Sequence, residues 1–154
     1  MFADFAGASD GHVFHEVLRF REVAASDTAQ IGQFALRFGT SVHSVTANVT
    51  RIEASGRTLV YSGDAGPGGD LQEMATGADV LMCEASLAGI RDAQTYRFHL
   101  TAAEAGEIAA WAGVGHLVLT HIPHSIDPEQ SVDEASAHFS GPVSYAAAGT
   151  VFEI

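Results

Sequence analysis

From residue 31 to 42 apolar and polar side chains alternate: Phe34, Leu36 and Phe38 to one side, Gln33, Ala35 and Arg37 to the other. A period of two predicts a half-buried strand over 31–42. Two further runs, 46–54 and 57–62, flank Ser55-Gly56, a turn chemistry that predicts a hairpin. Segments 80–83 and 116–120 are apolar almost throughout, as in strands buried on both faces. Leu71, Met74 and Ala75 repeat at helical spacing and predict a helix over 70–78, opened by Gly68-Gly69. Thr101 and Glu104 form a T-x-x-E capping box, so a helix is expected from Thr101 through Trp111, with Gly113 at its C-terminal end. An acidic helix over 129–139 is broken by Gly141-Pro142, and 143–147 and 150–154 read as two closing strands around Gly149. Segment 12–22 suits a strand, while 24–29, 86–98 and 123–128 read as loops.

The first third is therefore hairpin-rich, and from residue 57 onward strand and helix alternate. That order predicts an α/β layer structure, a mixed sheet covered by helices. The 154 residues suffice for one domain, 1–154, and 47% hydrophobic content excludes a disordered chain. Seven basic residues, all arginine, face 19 acidic ones, for a net charge of −12. Such a surface repels polyanions, so nucleic acid and anionic membranes are not expected partners. Cys83, the single cysteine, lies in an apolar run and reads as a buried structural thiol. No apolar run reaches membrane-spanning length and no signal-peptide pattern opens the chain, which makes the cytoplasm the expected compartment.

Candidate chemistry centres on the stretch RTLVYSGDAGP, residues 57–67. An apolar strand there runs into small residues and delivers Asp64 to its C-terminal edge, where α/β folds collect ligands. A turn-forming aspartate is the competing reading. His43 and His121 also follow predicted strands, so one sheet edge could hold all three. Two imidazoles and a carboxylate suit zinc, manganese or iron. His99 precedes a helix cap, where the dipole disfavours its protonated form and a neighbouring phosphate would restore it, giving a proton donor. A plain loop histidine is the alternative there. His12 and His15 stand on opposite sides of their strand, and His116, His124 and His138 read as structural or surface positions.

The run HSVTANVTRIEASGRTLVYSGDAGP resembles the metallo-β-lactamase-fold hydrolases, nearest to ribonuclease Z-like enzymes and bacterial cyclic-nucleotide phosphodiesterases. Four segments match in order: His43 with Arg51-Ile52; Ser62-Gly63-Asp64; Glu84-Ala85 with His99-Leu100-Thr101-Ala102 and Glu104-Ala105; and Leu119-Thr120-His121-Ile122-Pro123. The match runs from about residue 14 to the C-terminus. The resemblance implies that His43 binds a first metal, Asp64 bridges two, and His121 binds the second. It implies two divalent ions, zinc or else manganese, holding a hydroxide that attacks phosphorus. His99 would contact the scissile phosphate and protonate the leaving group.

The family's H-x-H-x-D-H signature does not occur in this sequence, and His43 is followed by Ser44, with Asn48-Val49 in place of an aromatic-glycine pair. The chain thus resembles the C-terminal half of an αββα sandwich. A homo-oligomer or a complementary N-terminal half is the partner this implies, covering a sheet face that would otherwise stand bare, unless rearranged N-terminal residues cover it. The expected activity is metal-dependent hydrolysis of a small phosphodiester such as a cyclic nucleotide. A non-catalytic remnant or interaction module, a ribonuclease Z-like enzyme, and a lactonase or thioesterase on the same fold are the alternatives, because one fold hosts many chemistries.

Overall fold

In a computed structural model, residues 21–88 and 98–154 are described. Seven strands form one sheet in the order of the chain: β1 (Thr28–Ile31), β2 (Phe34–Thr40), β3 (Asn48–Ala54), β4 (Arg57–Tyr61), β5 (Val80–Glu84), β6 (His116–Thr120) and β7 (Val143–Tyr145). Strands β1 to β4 pair antiparallel, and β4 to β7 pair parallel. The parallel strands are joined through α1 (Leu71–Ala75), α2 (Ala102–Ala112) and α3 (Pro128–Ser136). Each crossover advances the sheet in the same direction. Crossovers of one hand that all advance the same way must lay their helices on one face.

That face carries the core. Val49, Val60, Leu81, Cys83, Leu117 and Leu119 point into it and meet Leu71, Met74, Ala105, Ile108 and Ala109 from the helices. The α2 helix opens on the expected capping box: Thr101 Oγ1 accepts from the N–H of Glu104, and the Glu104 carboxylate accepts from the N–H of Thr101 at 2.8 Å. It ends at Gly113 in the left-handed conformation. At mid-helix Gly106 lets α3 approach, since a Cβ there would stand 2.5 Å from the carbonyl oxygen of Ala135. Arg51 reaches from β3 to the carbonyls of Met74 and Thr76, at 2.8 and 3.1 Å, and so satisfies the C-terminal end of α1.

Three expectations change. The strand expected over 31–42 is shorter, β2 over 34–40, and a further strand, β1, takes up 28–31, the end of the loop expected over 24–29; Gly32, with φ +58°, turns the chain between Ile31 and Phe34, which pair across the hairpin. Ile31 is out of phase with Phe34, Leu36 and Phe38, and shares their face only because the chain reverses. The closing strand expected over 150–154 is not a strand, and α1 is five residues rather than nine. The strand expected over 12–22 and the histidines His12 and His15 lie outside the described residues, apart from Arg21 and Glu22, which are in no strand. Among the described residues no helix is long and apolar enough to cross a membrane.

Candidate metal and acid site

The site grows from the strand ends. Strand β4 ends at Tyr61, and Ser62-Gly63 carries the chain to Asp64. Strand β5 ends on Glu84, and β6 ends one residue before His121. Because β4, β5 and β6 are adjacent and parallel, their C-terminal ends lie side by side. His43 arrives from the loop after β2. Two clips fix that loop against Asp64: Ser41 Oγ donates to the Asp64 carbonyl at 2.7 Å, and the N–H of Gly66 donates to Val42 at 2.7 Å.

The expected trio does converge. Asp64 Oδ2 stands 3.8 Å from His43 Nε2, and Oδ1 stands 3.1 Å from His121 Nδ1. The carboxylate therefore turns one oxygen to each imidazole. Ligands with bonds of 2.0–2.1 Å in a tetrahedron lie about 3.4 Å apart, so these spacings suit donors that share ions. A hydrogen bond on the far side of His43 orients its ring. Nδ1 lies 3.0 Å from the carbonyl of Phe98, which can only accept, so Nδ1 donates there and Nε2 faces Asp64. His121 adopts φ +55°, a left-handed conformation uncommon outside glycine and often found at functional positions.

His99 joins the same cluster. Its ring centre lies 5.1 Å from that of His43 and 5.5 Å from that of His121. Its Nδ1 is 2.8 Å from Oε1 of Glu84.

Glu84, which the sequence shows only as a strand end and a motif flank, is the most heavily hydrogen-bonded side chain of the cluster. It has no exposed surface and accepts from several donors. Oε1 takes the N–H of Ala65 at 2.7 Å besides His99, and Oε2 takes the N–H and hydroxyl of Ser86 and the N–H of Leu100, at 3.2, 2.9 and 3.2 Å. Its own N–H donates to Ser62 Oγ at 2.9 Å. The signal for this role was a charge closing an apolar strand, since a buried carboxylate must find donors.

Glu84, His99 and His121 each offer a ligand atom within 4.8 Å of the others. A metal there would have to displace hydrogen bonds that Glu84 already makes. The arrangement serves better to orient His99 than to bind an ion. Of the other described histidines, His116 bonds Ser144, His138 lies 3.4 Å from Glu107 on the surface, and His124 is exposed. Cys83 is buried, as expected, and burial pushes its thiol up to about 12.

An α/β sheet with helices on one face gathers histidines around a carboxylate at its strand ends, a donor set of the kind that suits divalent metals. Residues 8–122 match the model of the beta-lactamase superfamily domain, and the chain belongs to the metallo-β-lactamase superfamily. The probable metallo-hydrolase YhfI of Bacillus subtilis is 34% identical over 122 residues, covering 79% of this chain and 50% of that protein. Its crystal structure superposes with a TM-score of 0.81 over 94% of this chain and 61% of that one, at 29% identity. An uncharacterized protein of Mycobacterium leprae is 46% identical over 102 residues, 66% of this chain and 36% of its own. A ribonuclease Z of Myxococcus xanthus is 36% identical over 102 residues, 64% of this chain and 33% of its own. The chain thus spans a third to a half of the length of these curated relatives.

Proposed function

We propose that this chain supplies one half of a two-metal phosphodiesterase site acting on a small phosphodiester such as a cyclic nucleotide. The observation that carries the reading is the convergence of His43, Asp64 and His121 with His99, whose far nitrogen is held by Glu84. His43 and His121 would each hold one divalent ion, zinc or else manganese, and Asp64 would bridge both. Such ions, when bound, supply Lewis acidity toward a phosphoryl oxygen and acidify a water nucleophile.

The chain's own groups do the rest. Glu84 fixes the proton of His99 on Nδ1, so the proton that His99 can deliver is the one at Nε2. The acidic chain disfavours polyanionic nucleic acid, and so favours a small substrate over transfer RNA.

Two protein ligands per ion fall short of the three usual at catalytic zinc. The others would come from a segment bearing H-x-H-x-D-H, in cis or on a second chain. The test supplies that half and measures bound metal and hydrolysis of bis(p-nitrophenyl) phosphate and of cyclic nucleotides. Metal binding with phosphodiester turnover is expected. Metal binding with turnover of lactones or thioesters alone would replace phosphorus chemistry with carbonyl chemistry, and neither binding nor turnover would mark a remnant.

A further inference from the structure

We propose that Ser62 is a positioning residue of this site: its buried hydroxyl locks the Asp64 turn to Glu84, and so sets the candidate metal bridge against the candidate acid. The roles of Asp64 and His99 rest on the two-metal reading; the lock itself rests on hydrogen bonds among described residues.

Ser62 is the first residue past β4 and has no exposed surface. A buried hydroxyl is costly unless its hydrogen bonds are made. The N–H of Ser62 continues the β4–β5 ladder, donating to the carbonyl of Met82 at 3.0 Å. In a regular parallel pair the next bond would run from the N–H of Glu84 to the main-chain carbonyl of Ser62. Instead Ser62 Oγ accepts that N–H at 2.9 Å, and donates its own proton to the carbonyl of Gly63 at 2.7 Å. The side chain thus stands in for the last rung, and the backbone is free to turn. It turns at once: Gly63 has φ +59°, a left-handed value that suits glycine, and a Cβ there would stand 3.3 Å from the Asn48 carbonyl oxygen.

The bonds close a ring. The carbonyl of Gly63 belongs to the peptide that carries the N–H of Asp64, so Ser62 fixes the peptide entering Asp64. Ser41 Oγ fixes the one leaving it, through the Asp64 carbonyl at 2.7 Å. The N–H of Ala65 then reaches Glu84 Oε1 at 2.7 Å, and the N–H of Glu84 returns to Ser62. The same Oε1 holds His99 Nδ1. With its peptides pinned on both sides, Asp64 keeps mainly its side-chain torsions for facing His43 and His121. Ser62 therefore acts on the site through Asp64 and Glu84.

Ser62→Ala removes both bonds. Its control is Ile108→Ala, a core truncation in α2 about two turns beyond the cap at Thr101. In the 154-residue chain, NMR is expected to show the Glu84 and Ala65 amides of Ser62→Ala exchanging about tenfold faster than in the parent, as befits the loss of one hydrogen bond, with the His99 ring resonances displaced. Ile108→Ala should leave these signals in place even where its Tm falls as far. In the complex completed by the H-x-H-x-D-H half, Ser62→Ala is expected to bind metal about 10–100-fold more weakly, the usual cost of removing an outer partner of a ligand. If Ser62→Ala does not fold, Ser62→Cys, of similar shape but weaker hydrogen bonding, is read in its place. Unmoved Ala65 and His99 signals, or equal changes in Ile108→Ala, would overturn the lock. A parent complex that binds no metal would overturn the two-metal reading alone, and the NMR comparison would still decide the lock.

Discussion

His99 is held by Glu84, Nδ1 to Oε1 at 2.8 Å, and the same oxygen accepts the N–H of Ala65, the residue after Asp64. One buried carboxylate thus ties the candidate acid to the candidate metal loop. Glu84→Gln keeps the shape but turns an amide NH₂ toward groups that are themselves donors. Each lost hydrogen bond to a charged group is worth roughly 1.5–3 kcal/mol, so a loss of at least that size is expected on unfolding in urea. His99→Ala, at a more exposed position, should cost less. Equal losses would show that Glu84 is not the organising group.

Asp64 and His99 should separate binding from turnover. In the complex completed by an H-x-H-x-D-H half, Asp64→Ala is expected to lose metal at both positions. His99→Ala should retain the metal and lose about 10²–10⁴-fold in kcat, the usual contribution of a positioned acid. Elemental analysis beside steady-state rates reads both. The 154-residue chain alone is expected to hold divalent metal weakly, because Asp64 would have to serve both ions with one histidine each.

Gly106→Ala sets two effects against each other. Alanine gains about 1 kcal/mol of helix propensity over glycine. The new Cβ would meet the Ala135 carbonyl oxygen at 2.5 Å, and backbone cannot yield as a flexible side chain does. Overpacking of this kind costs typically 1–3 kcal/mol. A net lower Tm is expected; a higher one would mean that α2 and α3 separate freely.

Asp79 gives a pH signature. Its hydrogen bond from Arg57 at 2.7 Å, then that from the N–H of Thr58, holds the carboxyl below its ordinary value of 3.8. A depressed folded pKa adds stability that is present above the unfolded value and lost as pH falls through the folded one. The stability difference between the parent chain and Asp79→Ala should be constant near neutrality and shrink below pH 3.8. A difference that persists unchanged in stronger acid would contradict the linkage.

Cys83 behaves oppositely. Its folded thiol is raised to about 12 from 9.0 by burial, so the unfolded state loses its proton first. Stability linked to this group is full below pH 9.0 and falls as pH rises toward 12. In the native chain iodoacetamide should label Cys83 only through opening, at a rate that rises with urea. Labelling as fast as a free thiol would mean the β5 core is open.

Much of the fold follows from local pattern. The hairpin at Ser55-Gly56, the apolar strands β5 and β6, and the capping box at Thr101 are each set by neighbouring residues, and they stand where the pattern places them. Strand ends are local too, so the sequence could deliver His43, Asp64 and His121 to one edge. Their spacing of 3.1 to 3.8 Å, however, depends on the clips from Ser41 and Gly66 across non-adjacent strands. The strand at 28–31 was not legible, because its four residues carry no apolar alternation of their own and it forms by pairing with β2 across the turn at Gly32. Nor could it tell that 150–154 forms no strand. The meaning of Glu84 was likewise a tertiary matter: a carboxylate becomes an organising centre only when burial removes water and distant donors replace it, and burial is a property of the packed chain.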